Sequence, residues 1–407
     1  MINKKIKVVD ALMGKGKTTA LIHHMNSNKD KRFVFVTPYL KEVERIEEEC
    51  EFIQPKGKNE QGTHRTKLEH FKYLIENGIS IATTHQLFKM LDLETIQLLR
   101  NWDYVLVLDE VLEVIEISKL SKNEFEALEE LHIIKNVDGH WVKGDDEDIL
   151  QKYSSEWRYA EIVKNLMRNS VEIFDNNILV WLFPVDLLES FSEVYILTFM
   201  FEGYPLNPYL KLHNFEIEIY GVEDYKICKY KPTDTSEFKD LLQIYEGKHN
   251  QVGEGHSPFT VYWYQTHFKN NPDTIIDVRK GLSNFYKHYM IKTDDVKAQS
   301  LIWTCFKDFL DPVSISTINA NNFIPHNLRA TNEYINKANV LYLVNRNYNP
   351  IIKRWLIEKG LTTNDDSFAL SEMIQCIWRS RIRRGEVISL YVPSERMRNL
   401  LKSWLGL

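Results

Sequence analysis

The stretch Ile6-Lys7-Val8-Val9-Asp10-Ala11-Leu12-Met13-Gly14-Lys15-Gly16-Lys17-Thr18 decides the fold. Ile6 to Val9 is a short β-rich run of the kind that fills a strand buried on both faces. Ala11 to Thr18 then matches the phosphate-binding loop, with alanine in the first glycine position. The chemistry needs this spacing, because small residues let successive backbone N–H groups curl around a β-phosphate. The loop then feeds the positive end of a helix. Lys17 is expected to reach the β and γ phosphates of ATP, and the Thr18 hydroxyl to ligate Mg2+. Gly14, Lys15, Gly16 and Thr19 complete the cradle. A chance glycine turn would spell the same letters, but a strand before it and a helix from Thr18 to Met25 after it favour the phosphate.

Working outward, Phe33 to Thr37, Ile79 to Thr83, Tyr104 to Leu108 and Val194 to Thr198 are further apolar runs. Helical stretches such as Leu40 to Cys50 lie between the earlier ones, which gives the β-α-β alternation of a doubly wound parallel sheet. Residues 1–210 therefore read as one nucleotide-binding domain. Within it, about 117–170 breaks the alternation: it is acidic, with Phe125, Leu128, Leu131 and Ile134 at helical spacing, and reads as a mostly helical insert. Residues 211–257 read as a connecting segment holding a strand pair and a helix. Residues 258–407 form a second domain with strands expected at Phe259–Trp263, Leu301–Thr304, Val340–Val344 and Val387–Tyr391 and helices at Thr274–His288 and Ile351–Lys359. The fold class is α/β, two P-loop-type lobes with parallel sheets flanked by helices.

Asp109-Glu110 closes the run Val105 to Leu108, placing paired carboxylates where open α/β sheets bind ligands. Asp109 is expected to hold Mg2+ through water, and Glu110 to polarise the attacking water, the role that separates a hydrolase from a kinase. An acidic pair after a strand can also be a helix cap. The phosphate loop upstream favours catalysis.

The chain has 407 residues, 43% hydrophobic and 27% charged, which suits two soluble globular domains. No stretch reaches the apolar length of a membrane span, and Met1 to Asp10 has no signal-peptide core. The expectation is a cytoplasmic protein without a membrane partner. Four scattered cysteines form no C-x-x-C pair, so neither a zinc site nor a disulfide framework is expected. A net charge of −6 argues against a generally basic nucleic-acid binder. Arg379, Arg381, Arg383 and Arg384 nevertheless form a local basic cluster. Tyr262-Trp263-Tyr264 reads as part of a buried strand, and Arg396 and Arg398 as surface charges.

The order of these segments resembles superfamily 2 helicases. Phe35-Val36-Thr37-Pro38-Tyr39 is similar to motif Ia, Ala82-Thr83-Thr84-His85 to motif Ib, and Leu197-Thr198-Phe199-Met200 to a divergent motif III. In the second half, the segment from Asn327 to Tyr334 and that from Gln375 to Gly385 resemble motifs V and VI. The R-A-T-N and Q-x-I-W-R-S-x-I-R patterns resemble phage-encoded DEAD/DEAH-box helicase family proteins. That resemblance implies RecA-like lobes and an ATP-dependent helicase or translocase of phage replication or recombination. Its partners would be nucleic acid, DNA before RNA, and other replication or recombination proteins. It also implies that Gln375 and Arg379 face the phosphate loop, with Arg379 or Arg383 as the arginine finger. Thr37, Pro38, Thr83, Thr84, His85, Arg329, Thr331 and Asn332 would hold the nucleic acid. Trp378 stands where the motif usually has glycine and the arginines are spaced R-x-x-x-R, so which one acts stays open. The divergent motif III keeps an alternative: a nucleic-acid-stimulated ATPase switch, remodeller or loader that separates no strands.

Overall fold

Strands of continuous apolar sequence form where both sheet faces are covered, and such strands build the first half of the chain. The computed structural model describes residues 5–57, 65–155, 157–175, 177–293, 297–327 and 333–407. Strands β1 (Lys5–Asp10), β2 (Arg32–Thr37), β3 (Ile81–Thr84) and β4 (Tyr104–Asp109) are buried over most of their length. Between them lie helices α1 (Lys17–Asn26), α2 (Leu40–Cys50), α3 (Lys67–Glu76) and α4 (His85–Lys89). On α2 the buried residues Val43, Ile46 and Cys50 fall three to four apart, so one stripe meets the sheet. Helix α3 starts on a capping box in which Thr66 and Glu69 satisfy each other's backbone amides.

After β4 the chain enters an insert with five short strands: β5 (Ile115–Lys119), β6 (Ile134–Val137), β7 (His140–Lys143), β8 (Val171–Phe174) and β9 (Ile178–Leu182). Helices predominate between residues 117 and 170, but the insert is organised on an antiparallel sheet, β5-β9-β8. It has its own core around Leu120, Leu128, Ile133, Leu150 and Val163. The chain returns through β10 (Glu193–Thr198), then the hairpin β11 (Glu216–Glu223) and β12 (Lys226–Lys229). The large sheet runs β12-β11-β1-β10-β4-β2-β3 and is parallel except for β12. Thus β10 separates the strand before the phosphate loop from the strand carrying Asp109.

The chain divides into two units, the first comprising Met1–Ala11, Gly16–Tyr230 and Asn349–Thr363, the second Leu12–Lys15, Lys231–Tyr348 and Asn364–Leu407. The second unit holds a four-stranded parallel sheet, ordered β13 (Leu242–Ile244), β16 (Ile388–Tyr391), β15 (Asn339–Tyr342) and β14 (Leu301–Thr304). Trp303, Tyr264, Phe285 and Leu341 lie in its core. Both halves are therefore α/β with parallel sheets flanked by helices, as the sequence indicates.

Three expectations are corrected. The segment Phe259–Trp263 is not a strand: Val261–Asn270 is a helix capped by Thr260, whose hydroxyl accepts the Trp263 amide. Aromatic residues favour strands, but burial here follows a helix, with Trp263 and Tyr264 inside and Val261 and Tyr262 exposed. The connecting segment contains the expected strand pair but no α-helix; its later part is a short 3-10 turn at Ser236–Phe238 followed by β13. Arg396 and Arg398 are buried, not superficial. Arg396 donates to Asp366, to the Asn345 side chain and to the Arg346 carbonyl, and Arg398 to the carbonyls of Val392 and Pro393. Such hydrogen bonds let a guanidinium stay charged inside a protein.

Candidate nucleotide site

The phosphate loop owes its shape to two left-handed glycines, Gly14 at φ 84° and Gly16 at φ 83°. Side chains are disfavoured in that region, so glycine suits both positions. Gly16 caps α1, whose first turn carries no acidic residue and so leaves the positive helix end for an anion. Lys17 Nζ donates to the Ala11 carbonyl at 2.6 Å, which holds the ammonium over the loop. Next to it, Thr19 Oγ1 accepts from Arg45 at 3.4 Å.

At the end of β4, Asp109 collects contacts from three other segments. Thr18 Oγ1 lies 3.4 Å from its Oδ1 and Thr37 Oγ1 3.5 Å from its Oδ2. His85 Nε2 is 3.0 Å from its carbonyl oxygen. Burial pushes the Asp109 carboxyl up to about 7, the Glu110 and Glu42 carboxylates add to the rise, and Lys17 and Thr18 oppose it. A hydroxyl beside a carboxylate short of positive charge fits a divalent cation. Among the described residues no group of three or more His, Cys, Asp or Glu is set to hold a metal. Glu110 follows at φ 66°, a conformation few non-glycine residues adopt, and its N–H donates to the Leu197 carbonyl at 3.1 Å. Strained backbone held by its surroundings is common at functional sites.

Of the candidate residues in the second half, Gln375 lies on the helix Asp365–Ile377 and its Nε2 is 3.4 Å from Ser371 Oγ. Arg379 is buried and donates to the Pro325 carbonyl at 3.5 Å. Arg383 lies in the turn Arg381–Arg384. The loop residues Leu12–Lys15 are counted in this second unit, and there Arg383 Nε lies 3.2 Å from where a Cβ on Gly14 would stand. Burial lowers the Arg383 pKa. Arg329, Thr331 and Asn332 lie outside the described residues.

With this geometry in place, the whole chain can be set beside known proteins. It is 35% identical over 418 residues to the SPbeta prophage-derived uncharacterized protein YonV of Bacillus subtilis strain 168, covering 99% of both chains. The chain belongs to the YonV family. The family model for the YonV C-terminal Rossmann-like domain matches residues 236–405. Among solved structures, an XPD helicase aligns at TM-score 0.45 and 12% identity, covering 98% of this chain and 94% of the other. Xpd4 of S. tokodaii aligns at TM-score 0.43 and 11% identity, covering 99% and 94%.

In this YonV-family chain the residues resembling motifs Ia and Ib are not equally open. Thr37 and Thr83 are buried, Pro38 is half-buried, and Thr84 caps α4 through the Leu87 amide. Thr37 and His85 direct their polar atoms at Asp109, a role their motif positions do not disclose. The sequence reading also missed Asp10, the last residue of β1. Its carboxylate accepts the amides of Met200 and Phe201, both at 2.8 Å, and so ties β1 to the turn after β10. Burial raises the Asp10 pKa although those amides and Lys17 pull it down. The available signal was an acid that ends the first strand directly before the Ala11–Thr18 loop. No helix among the described residues is long and apolar enough to cross a membrane.

Proposed function

We propose that this chain hydrolyses ATP in response to nucleic acid, as a phage-encoded motor of the superfamily 2 helicase type. The observation that carries the reading is the Asp109-Glu110 corner. One carboxylate is placed 3.4 Å from the Thr18 hydroxyl, and the next is held at positive φ by a hydrogen bond to β10. Lys17 and the loop amides would bind the β and γ phosphates, and Thr18 and Asp109 would hold Mg2+, which when bound would neutralise charge on the phosphates. Glu110 orients a water and accepts its proton as the oxygen attacks the γ-phosphorus; the bond to the β-γ bridging oxygen breaks and ADP leaves with inorganic phosphate. Arg379 or Arg383 would be the arginine finger, as the resemblance of Gln375–Gly385 to motif VI implies.

Thr84, Pro38 and the segment after Asn327 are the proposed nucleic-acid contacts, with DNA favoured over RNA through the phage resemblance. Coupling to the site would run through Thr37 and His85, since both belong to these motifs and both reach Asp109. The test is the steady-state ATPase rate with single-stranded DNA, duplex DNA, forked DNA and RNA as separate activators, for wild type, Lys17→Ala, Arg379→Ala and Arg383→Ala. DNA should stimulate the wild type, Lys17→Ala should be inactive, and whichever of Arg379→Ala and Arg383→Ala removes the finger should bind ATP but turn it over about 10³-fold or more slowly. Undiminished turnover by Lys17→Ala would end the ATPase reading. Stimulation without strand displacement on forked DNA would leave the switch or remodeller in place of the helicase.

A further inference from the structure

The hairpin β11–β12 ends in a feature that the phosphate site does not use. Glu223 pairs with Lys226, so Asp224 and Tyr225 form a two-residue turn, and both are left-handed, at φ 49° and φ 57°. Such turns favour asparagine and glycine. A tyrosine there is a genuine outlier, because a bulky side chain disfavours positive φ. The ring is turned onto the phosphate loop: its Cδ1 and Cε1 lie 2.5 and 2.7 Å from where a Cβ on Gly16 would stand. It meets the His23 ring of α1 edge-on, at 6.4 Å between centroids and 73° between planes. Yet Tyr225 is 54% exposed. A tyrosine kept only to cover the loop would gain more by burying its ring.

Sheet order says what this position faces. A bound triphosphate sits at the carboxyl ends of the parallel strands, over β1 and its loop. Its γ end is drawn toward Asp109 and Glu110 on β4, which lies to one side of β1 beyond β10. The rest of the nucleotide then extends to the other side, where β11 is the neighbour. Tyr220 pairs with Val9, and β11 continues to Glu223, so the hairpin tip projects past the register with β1, at the edge where the loop begins.

Resting on the ATP-site reading above, we propose that Tyr225 is the platform on which the base of the bound nucleoside triphosphate stacks. Gly16 is then bare for two reasons, the helix cap and the close approach of the ring. Stacking on an aromatic face tolerates any base. The inferred ligand class is therefore nucleoside triphosphates held by ring area and not by edge hydrogen bonds, with ATP and GTP bound alike and the smaller pyrimidine rings more weakly.

The test is calorimetric titration of the full chain with Mg-ATP and with Mg-tripolyphosphate, which has the phosphates but no base, for wild type, Tyr225→Ala, Tyr225→Phe and Lys17→Ala. Tyr225→Ala should weaken ATP binding about 5- to 100-fold, the worth of one stacked base, and leave tripolyphosphate affinity unchanged. Tyr225→Phe should bind both ligands as the wild type does. Equal loss for ATP and tripolyphosphate in Tyr225→Ala, or no loss for ATP, would overturn the proposal and leave the ring as a brace for the loop. Lys17→Ala should lose both ligands. A wild type that binds neither would instead bring down the ATP-site reading itself, and the base platform with it.

Discussion

The carboxyl edge of the large sheet and the antiparallel sheet of the insert are both fixed by residues distant in sequence, but by different forces. At the edge, polar groups do the fixing: Thr18, Thr37 and His85 converge on Asp109, and Asp10 holds the turn at Met200. In the insert, the helix Pro350–Glu358, which follows β15 by eight residues in the chain, belongs to the first unit and packs beside the β5-β9-β8 sheet. Ile352, Trp355 and Leu356 are its buried residues, the last two at 1% and 0% exposed. Trp355 Nε1 donates to Glu172 at 3.1 Å, and half-exposed ion pairs, Arg354 with Asp175 and Lys359 with Glu172, surround it. The difference teaches that a change at the first region should cost rate, and a change at the second should cost stability.

Glu110→Gln gives the largest expected effect. The substitution keeps size and backbone but removes the proposed proton acceptor, so kcat for ATP should fall about 10²- to 10⁴-fold while the denaturation midpoint stays within error. A fall in the midpoint comparable to that in rate would erase the contrast between the regions. Trp355→Ala should behave oppositely. Removing a large buried ring costs about 3–5 kcal/mol, read as a lower urea midpoint of the transition that includes the insert. ATP affinity of the folded fraction should be unchanged; if it falls in step with stability, the insert and the nucleotide site are one energetic unit.

Legibility in the sequence follows the same division. Strands β1 to β4 and β10 are legible because a doubly covered strand is largely apolar, and Ala11–Thr18 and the Asp109-Glu110 pair stand out as candidates because the chemistry proposed for them needs a fixed local spacing. Thr37, His85 and Asp10 were visible as residues but not in their roles, since each acts through a contact made only when separate strands lie side by side. Tyr225 left one mark, an aromatic in a turn of charged residues, which means nothing until Gly16 is seen beneath it. The helix at 261–270 was hidden by aromatic composition, and the buried state of Arg396 by the usual exposure of arginine. That Ile351–Lys359 is helical follows from its spacing, and the helix observed is Pro350–Glu358; that it joins the first unit does not follow, because docking depends on complementary surfaces and not on periodicity.

A third measurement probes the opposite edge of the large sheet, where Glu193 at the start of β10 binds Lys7 at 2.6 Å and also Lys31. Burial works against the Glu193 anion, but the hydrogen bonds of Lys31 and Lys7 prevail and bring its pKa from 4.5 down to about 2. A carboxyl more acidic in the folded state stabilises the fold fully above its unfolded value. That stabilisation is lost as pH falls from about 4.5 toward 2. Glu193→Gln should therefore destabilise at pH 7 by about 1–2 kcal/mol after solvent screening. The gap to wild type should close in acid; a gap constant from pH 7 to pH 3 would mean that shape, not charge, matters there.

The smallest effect sharpens the comparison most. Arg354 and Asp175 are both about half exposed, at 52% and 55%, although their atoms meet at 2.5 Å. Water screens such a pair and two mobile side chains lose freedom in forming it, so Arg354→Ala should cost less than about 1 kcal/mol. Part of even that loss is a cation–π contact, since the guanidinium also lies 5.1 Å from the centre of the Phe174 ring. Asp175→Asn removes the charge and leaves that stacking in place, so it should cost less again, and 1 M salt should narrow its difference from wild type. Were either variant to destabilise as much as Trp355→Ala, the helix would be held to the insert by charge, and the two regions would differ in location alone.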